Sequence, residues 1–594
     1  MTMTGFSSRS RGRARLDLPV SPGAFGRGAR RDGGARVDAD AVDPVRAGAR
    51  DALALRLAPS RRRVRGAPRT RTDDDASSRL AGAVGGDAAR FADPDGSDGA
   101  SDASRMDRLA SSSNAASSSA VASGSADRDA APVELRSSLL RVLGIRNGVL
   151  GVAQDRVEMV LKQALPVMGG MASQNVLNLA DSVMVGRLGT SCVAAVGIAS
   201  TLNFQCQAAL QGISSGVQAM SARRVGEGRP EIAAVPLNAA LVICVVLGVP
   251  MALAAFILAP ELVPRLTSDP AVIEASVPYL RARLCAVPAV GINFAFRGFW
   301  NAAQQPQIYM NTLLVMHAVN ISLSLLLIFG FAPLRVPALG VVGAGIGTSA
   351  SVWVGTALYV RMGFRRARHL GFWGAKPTAD DLKILLKQAL PTSVTNLLFA
   401  SGMTALYFIV GMLGTAETAA VNVLINLMLT LVLPCMGMGL AAGALSGRAL
   451  GRGDVADAAA WPWDVAKLTA AMMVGVGMLA VAFPERLLGF FLSDPGAIAK
   501  ATMPLRFTGI TVAGDALSVT MQNALLGVGD AKKVAAVSIG TQWVLFLPLA
   551  YAGVKFLGFD LNALWGLYVA QRVLQGALYA KIWDAGEWSK IKLG

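Results

Sequence analysis

Polar side chains recur at helical spacing inside stretches of this 594-residue sequence that are otherwise apolar. Gln174, Asn178 and Asp181 follow one another at intervals of four and three residues, so they lie on one face of a helix. Three further stretches carry stripes of the same kind: Gln207, Gln211 and Ser214; His317, Asn320 and Ser324; and Thr511, Asp515, Ser518 and Gln522. Such amide, hydroxyl and carboxylate groups can hydrogen-bond a small molecule or coordinate a small cation.

The two carboxylates, Asp181 and Asp515, are the members of these stripes that can exchange a proton. A charged group that is removed from water is costly unless it gains a proton, a metal cation or another partner. Each of them can therefore take up H⁺ on one side of an apolar layer and release it on the other, or coordinate Na⁺ with neighbouring oxygens. A purely structural role stays open, in which the stripes only form interhelical hydrogen bonds and Asp181 bonds the start of the next helix.

The stripes lie within long apolar runs that are separated by short polar loops. The sequence is 53% hydrophobic and only 16% charged, and its mean hydropathy is +0.46, which excludes a soluble globular protein of this length. Runs of about 20 apolar residues can cross a bilayer as helices. Twelve such spans are predicted, over residues 160–183, 191–217, 234–258, 276–300, 307–331, 338–360, 385–411, 417–443, 462–483, 500–526, 534–556 and 561–582.

The twelve spans form two sets of six, because a unit of about 225 residues occurs twice. The string Leu-Lys-Gln-Ala-Leu-Pro stands at 161–166 and again at 386–391. The same offset, without insertion, relates matching segments that begin at Val185 and Val410, Ala194 and Ala419, Ser221 and Ser446, and Ser268 and Ser493. Duplicated helical membrane halves are typical of secondary transporters, whose substrate path lies between the halves. The sequence therefore predicts an all-α membrane protein with lobes over 141–365 and 366–594.

The first 140 residues differ in composition from the rest of the chain. Residues 1–31 carry seven Arg and a single acidic residue, Asp17, among Ser, Gly and Ala, which is typical of an organelle transit peptide. We predict a plastid transit region over 1–72 and a disordered acidic, Ser-rich linker over 73–140. A disordered cytosolic tail without a targeting role is the alternative.

The loop charges predict the orientation of the chain in the membrane. Basic residues collect in the loops on one side: Arg141, Arg146, Arg156, Arg223, Arg224, Arg229, Arg361, Arg365, Arg366, Arg368, Lys376, Arg448, Arg452, Lys532, Lys533, Lys581, Lys590 and Lys592. The opposite loops hold fewer; Arg187, Arg335 and Lys555 are among them. Both termini are therefore predicted on the cytoplasmic or stromal side, with the two lobes as parallel repeats about an axis along the membrane normal.

Other chemistries are disfavoured by residue counts and spacing. The net charge of +17 comes from the Arg-rich leader and the basic loops, so it does not indicate nucleic-acid binding. The five cysteines show no CxxC spacing, and two histidines cannot form a multi-His metal centre. The glycine strings at 226–228 and 451–453 are not followed by Gly-Lys-Ser/Thr, and no catalytic triad is visible. The sequence therefore predicts no enzyme, no cofactor and no metal centre, apart from Na⁺ at Asp181.

Several segments resemble the multidrug and toxic compound extrusion (MATE) family over residues 155–582. The segments that carry the resemblance are Gln163–Pro166, Leu179–Gly189, the two glycine strings, Val319-Asn320-Ile321 and Gly527–Asp530. The resemblance implies twelve helices in two six-helix bundles that form a V-shaped molecule, and cation-coupled export by alternating access. Within the family, the sequence resembles the DinF-like branch of plants and algae. This likeness and the leader together imply a protein of the plastid envelope, or otherwise of the plasma or vacuolar membrane.

The resemblance also implies roles for particular residues. Asp181 matches a cation-responsive carboxylate in helix one of the DinF-like branch, and Asn320 matches an Asn in its helix five. That branch often has a second carboxylate where this sequence has Ser324, and the helix-seven Glu of many eukaryotic members has no counterpart in 390–411. Asp515 resembles a helix-ten Asp of plant members, several of which move organic acids.

The hypothesis is an antiporter that exports organic solutes or xenobiotics in exchange for H⁺ or Na⁺. Asp181, Asp515 and Asn320 are the predicted cation-coupling residues. The residues predicted to line the cavity are Gln174, Asn178, Gln207, Gln211, His317, Ser324, Thr511, Ser518 and Gln522. The predicted partners are the bilayer, a small organic solute and the cation, with the protein as a monomer. The alternatives are uncoupled efflux of an organic anion such as a carboxylate or phenolate, a lipid-linked flippase, a major-facilitator carrier, and a membrane receptor, scaffold or intramembrane enzyme.

Overall fold

The computed structural model describes residues 150–492 and 494–593. The predicted transit region over 1–72 and the linker over 73–140 lie outside the described residues. The same holds for Arg141, Arg146 and Ser493, which were used above for the orientation and the repeat.

Twelve helical spans make up the described part of the chain. They are α1 (Gln154–Gly186), α2 (Thr190–Gly226), α3 (Val235–Leu262), α4 (Pro270–Leu284 continued by Val287–Ala302), α5 (Pro306–Phe329), α6 (Gly340–Arg366), α7 (Ala379–Gly411), α8 (Thr415–Gly451), α9 (Val455–Ala482), α10 (Pro495–Val528), α11 (Ala531–Phe556) and α12 (Leu561–Asp584). The predicted all-α class with twelve spans in two sixes is confirmed, with α1–α6 in one bundle and α7–α12 in the other. A short helix, Pro484–Gly489, joins α9 to α10.

Eight of these spans are long and apolar enough by themselves to cross a membrane. The other four are α1, α4, α10 and α12. Polar stripes lower the hydropathy of α1 and α10, and α4 is interrupted. Large apolar side chains such as Phe490, Ile510, Val544 and Phe556 are between 69% and 82% exposed to the surroundings of the bundle. An apolar surface of this kind is stable when it faces lipid.

Two spans depart from a continuous α-helix, which periodicity did not predict. The α4 helix breaks at Cys285 and Ala286, just before Pro288, whose ring removes a backbone donor at the start of the second segment. In α11, residues Gly540–Phe546 form a π-helical turn between two α-helical segments. Single π-helical turns inside α-helices frequently occur at functional sites.

Equivalent residues of the two repeats make equivalent contacts between the bundles. A Cβ atom at Gly212 in α2 would meet the carbonyl oxygen of Ala389 in α7, and a Cβ at Gly437 in α8 would lie 3.4 Å from the carbonyl oxygen of Ala164 in α1. Gly437 stands 225 positions after Gly212, and Ala389 stands 225 positions after Ala164. The same packing contact is therefore made twice, once for each half of the duplication.

The helices α2 and α8 cross on the local axis of this repeat. A Cβ atom on Gly226 would lie 2.9 Å from the Cα of Gly451, and a Cβ on Gly451 would lie equally close to the Cα of Gly226. These residues end α2 and α8 and are also 225 positions apart. Only glycine permits the two backbones to approach this closely.

The end of the molecule that holds this crossing is also the end with the basic loops, and we call it the basic side. It contains the last turns of α2 and α8 and the first turns of α1 and α7. The buried residues of α2 cluster from Ala208 to Arg224, and those of α8 from Cys435 to Leu450. The preceding halves of both helices are mostly half-buried or exposed. The bundles are thus packed together at the basic side and separate toward the opposite side.

Ion pairs between the two bundles also lie at the basic side. Arg224 at the end of α2 is 2.5 Å from Asp381 in the first turn of α7. Arg156 in the first turn of α1 is 2.9 Å from Asp457 and 2.8 Å from Asp464, both on α9. The guanidinium of Arg156 also stacks 3.9 Å above the ring of Trp461.

The C-terminal segment crosses between the bundles on the same side. Trp588 is buried and stacks on Trp583 at the end of α12, with the ring centroids 4.3 Å apart. Arg223 of α2 donates a hydrogen bond to the carbonyl oxygen of Ile591, and Leu593 packs into the core of the first bundle. The segment therefore fastens the second bundle to the first where α2 ends.

Candidate functional site

His317 joins α5 to the polar face of α1. Its Nε2 lies 3.1 Å from Gln174 Oε1, and its Nδ1 lies 3.1 Å from Ser173 Oγ. Because an amide oxygen can only accept, Nε2 carries the proton in this arrangement. The Ser173 hydroxyl lies 2.7 Å from the carbonyl oxygen of Gly170 as well, so its one proton is donated either to that oxygen or to Nδ1. The amide nitrogen of Gln174 donates to Asn178 Oδ1 at 3.1 Å. Gln174 and Asn178 of the α1 stripe and His317 of the α5 stripe therefore form one hydrogen-bonded chain between neighbouring helices.

Asp181 and Asn320 carry two of the unpaired buried polar atoms of the first bundle, which also include Nε of Arg283. Oδ1 of Asp181 and Nδ2 of Asn320 are buried and lack hydrogen-bond partners among the described residues. Ser324 donates to Asn320 Oδ1 at 3.2 Å. Half a turn of the Asn320 amide would let its nitrogen donate to Ser324 and would place its oxygen at the unfilled position, as a bound cation requires.

The structural alternative for Asp181 finds no support in this geometry. It proposed a hydrogen bond from the carboxylate to the start of the following helix. The helix α2 begins at Thr190, and no bond from its backbone reaches Asp181 Oδ1 in the described ranges. A buried acceptor without a donor suits the binding of a proton or a metal ion.

The second bundle holds its carboxylate differently, because Asp515 on α10 is paired with an arginine. Nε of Arg572 on α12 donates to Asp515 Oδ1 at 2.8 Å, and Nη1 of the same guanidinium donates to Gln575 Oε1 at 3.0 Å. The side chains of Arg572 and Asp515 are 16% and 10% exposed. The two helices thus bring opposite charges together inside the bundle.

A hydrogen-bonded network extends from this pair toward α11. Gln575 Nε2 lies 3.5 Å from the hydroxyl of Tyr579, which lies 2.5 Å from Ser538 Oγ. Gln571 donates at 3.1 Å to the hydroxyl of Thr541, inside the π-helical turn. The irregular turn of α11 therefore presents a hydroxyl to the helix that carries Arg572.

The remaining residues of the polar stripes do not join either cluster. Ser214 is buried and accepts from Nε of Arg297 at 3.2 Å. The hydroxyl of Thr511 bonds the carbonyl oxygen of Phe507 on its own helix, and Ser518 is buried beside Gly576. The three glutamines of the stripes on α2 and α10 are half-buried: Gln207, Gln211 and Gln522.

The polar face of α12 and the hydroxyl of Ser173 are not among the site residues predicted from the sequence. A signal was present, since Gln571 and Gln575 stand four residues apart beside Arg572 within an apolar span. Helical spacing alone could not identify the partner of Asp515, because Arg572 is 57 positions away on another helix.

The comparison with protein families decides the identity of this scaffold. The MatE family model matches residues 166–326 and again residues 391–552, and the two matches begin 225 positions apart. The chain belongs to the MatE family. The MatE chain is therefore an integral, multi-pass membrane protein of a family of transporters that includes multidrug efflux proteins.

Curated relatives match the MatE region over most of their length. A probable multidrug resistance protein NorM of Thermotoga maritima is 26% identical over 448 residues, which cover 74% of this chain and 94% of the relative. A protein of the same description from Aromatoleum aromaticum is 27% identical and covers 67% and 85% of the two chains. The match to the DinF-like branch is not tested by these relatives and stays a prediction.

Solved structures share the fold of this MatE chain. A MOP superfamily transporter from Pyrococcus furiosus, whose binding pocket has a reversed polarity that suggests a different function, superposes with a TM-score of 0.67 at 20% identity, over 74% of this chain and 97% of that one. An outward-facing MATE family transporter superposes with a TM-score of 0.66 at 20% identity, over 72% and 95%. These likenesses support the arrangement of helices alone.

Proposed function

We propose that this MatE chain is a secondary active antiporter that exports organic solutes or xenobiotics in exchange for H⁺ or Na⁺. The observation that carries the proposal is the buried Asp181 Oδ1 without a hydrogen-bond donor, next to the hydrogen-bonded chain that joins α1 to α5. An unpaired acidic group inside a membrane bundle indicates a functional site, because burying it costs free energy that is recovered only when it binds a proton, an ion or another ligand.

The cation would bind at Asp181, with the Asn320 amide oxygen as its second contact. The carboxylate supplies the charge, and the rotation of Asn320 described above supplies a neutral oxygen, which is a ligand type that hard cations accept. Asp515 was predicted as a second coupling residue, but its carboxylate already has a cationic partner in Arg572.

The solute would bind between the bundles, where the halves of α2 and α8 away from the basic side are less buried. Its polar groups would meet the predicted lining residues of the first bundle: Gln174, Asn178, Gln207, Gln211, His317 and Ser324. Those of the second bundle are Thr511, Ser518 and Gln522. Alternating access then requires the contacts on the basic side to open while those on the opposite side close.

Purified protein in liposomes provides the test of coupled export. Cationic dyes, phenolic acids and di- or tricarboxylates are offered as solutes under separate H⁺ and Na⁺ gradients. We expect at least one solute to accumulate against its own gradient with one of the two ions, and Asp181→Asn to abolish that accumulation. Accumulation that is equal with and without an ion gradient would contradict the proposal.

Uncoupled efflux of an organic anion is the second candidate, favoured by two observations. Ser324 stands where a second carboxylate would complete a proton relay, and the Asp515 carboxylate already has a partner in Arg572. This alternative predicts electrogenic flux of a carboxylate or phenolate without accompanying H⁺ or Na⁺, which a voltage-clamped liposome assay measures directly.

We further propose that the protein acts as a monomer in a plastid envelope, with both termini on the stromal side. The composition of residues 1–72 and the excess of basic loops on one side support this placement. Imaging of a fluorescent fusion to residues 1–75 tests the targeting, and a diffuse cytosolic signal would contradict it. Protease protection of tags on both termini tests the orientation.

A further inference from the structure

The Asp515–Arg572 pair is the one place in the described bundles where α10 and α12 join opposite charges. Isolated charges inside a membrane are costly, and a buried carboxylate is therefore stable only when it is protonated or has a positive partner. A cation bound from solution can serve as that partner. Here it is a side chain of the same protein, 2.8 Å from the carboxylate oxygen.

The guanidinium is held in place by groups other than Asp515. Gln575 accepts from its Nη1 at 3.0 Å, and Gln575 is itself within 3.5 Å of the Tyr579 hydroxyl. Tyr579 is fixed in turn by Ser538 at 2.5 Å. Arg572 is therefore oriented toward α10 by a network on α11 and α12.

The space beside Asp515 offers few oxygen ligands for a metal ion. The cavity that reaches the carboxylate has a volume of about 10 Å³, which is room for one water molecule at most. Its lining is mainly apolar, and the polar exceptions besides Asp515 are Cys435 and Thr508. Hard cations need several oxygen ligands, and this lining does not offer them.

The other ionisable groups near the pair do not change its charge. They are Cys435 on α8 and Tyr568 and Tyr579 on α12, and none of these side chains carries a full charge near neutral pH in its ordinary state. The pair is therefore balanced by itself, one negative charge against one positive charge. Asp181 in the first bundle forms no ion pair among the described residues; Arg283 on α4 acts on it only at longer range, and one of its oxygens has no hydrogen-bond partner.

We infer that Arg572 is a built-in counter-cation that occupies the position beside Asp515 where a free ion would otherwise bind. Ion binding is then confined to Asp181 in the first bundle, and Asp515 keeps the same partner throughout the transport cycle. The inference refines the proposed antiporter, on which it rests for the role of Asp181.

Cation binding to the purified full chain in detergent tests this directly, without a known solute. Radioactive ²²Na⁺ binding and the proton uptake on acidification are measured for the wild type, Arg572→Gln, Arg572→Lys and the double variant Asp515→Asn/Arg572→Gln. The exposed Arg486→Gln on the same bundle is the matched control, and monodispersity on size exclusion reports folding.

Arg572→Gln should gain one bound H⁺ or Na⁺ per protein relative to the wild type, because it leaves Asp515 without a partner. Arg572→Lys and the double variant should bind as the wild type does. If Arg572→Gln does not fold, the double variant decides the question, since it removes both charges together. Reduced cation binding by the folded double variant, or no gain in folded Arg572→Gln, would overturn the inference.

Failure of the antiporter proposal gives a different result. In that case the wild type and Asp181→Asn bind equal amounts of H⁺ and Na⁺, while the gain in Arg572→Gln is still observed. If the gain is missing although Asp181→Asn lowers wild-type binding, the counter-cation role alone is wrong.

Discussion

At the scale of single residues, the two carboxylates of the bundles differ in what they contact. Asp181 keeps one buried oxygen without a donor, whereas Asp515 contacts a guanidinium. Leaving a buried acceptor unpaired costs about 1–3 kcal/mol, so this cost has to be recovered when something binds. The difference supports the proposed binding of an ion in the first bundle.

Replacing Asp181 by Asn should uncouple transport without unfolding the protein. The amide has nearly the same shape but cannot be ionised, so a gradient of H⁺ or Na⁺ no longer acts on it. We expect ion-driven accumulation of solute in liposomes to fall roughly tenfold or more, as for a coupling free energy of about 1–3 kcal/mol. Asp380→Asn is the control, because Asp380 is exposed in the first turn of α7. Equal losses in both variants would contradict a specific role for Asp181.

His317 should matter for solute binding through the chain that it forms with Gln174 and Ser173. The variant His317→Ala removes both hydrogen bonds and leaves Gln174 Oε1 without its donor, at a cost of about 1–3 kcal/mol. We expect a several-fold rise in the solute concentration for half-maximal transport, while the dependence on the ion gradient is kept. His369→Ala, at the exposed end of the first bundle, should leave both unchanged. A loss of ion dependence in His317→Ala would argue against this division of roles.

The residues of these sites were predictable to different degrees. Helical spacing was enough to place Gln174 and Asn178 on one face, and the structure joins them by a hydrogen bond. It was not enough for Arg572, since the partner of a buried charge is set by which helices are neighbours. Periodicity describes the face of one helix and carries no information about the helix opposite.

At the scale of elements, the crossing of α2 and α8 determines how the bundles meet. The close approach at Gly226 and Gly451 brings two helix ends into backbone contact, and the buried halves of both helices lie directly before it. The glycines could be read as turns from the sequence. Their mutual contact could not, because it depends on the rotation of one half of the repeat relative to the other.

Gly226→Val should disturb this crossing specifically. The added side chain would meet the backbone of Arg448 and Gly451, which cannot move aside as a flexible side chain would. Overpacking of this kind costs about 1–3 kcal/mol, so we expect a thermal transition several degrees below that of the wild type in detergent. Gly475→Val in α9 is the control, since a Cβ there would meet nothing within 4 Å. Unchanged thermal stability in Gly226→Val would contradict the crossing as described.

At the scale of the whole molecule, the repeat relates the helices of the two bundles but not their buried carboxylates. The position 225 residues after Asp181 is Leu406, and the position 225 residues before Asp515 is Val290. The repeat therefore sets the helices and the packing between bundles, while each bundle holds its own charged groups. The number of helices and their duplication were predictable, because span length and the internal repeat can both be read from a single sequence.

Which side of the molecule is closed could not be predicted from the sequence. The two states of an alternating-access protein use the same helices and the same hydrophobic faces, so patterning does not distinguish them. The structure has its ion pairs between bundles at the basic side: Arg224 with Asp381, and Arg156 with Asp457 and Asp464. These pairs stabilise the state that is closed on that side and must separate in the other state.

Removing these ion pairs should therefore shift the balance toward opening at the basic side. The double variant Arg156→Gln/Asp381→Asn removes one member from each group of pairs, and differential contacts of about 1–3 kcal/mol change the ratio of two states by about 5–150-fold. Spin labels at the exposed positions Arg368 and Lys532, on different bundles at the basic side, report the change. We expect a longer-distance population to grow at the expense of the short one. Lys383→Gln, which breaks an exposed pair within α7, should leave the distribution unchanged. A distribution in the double variant that matches the wild type would mean that the glycine crossing, rather than the charges, keeps the basic side closed.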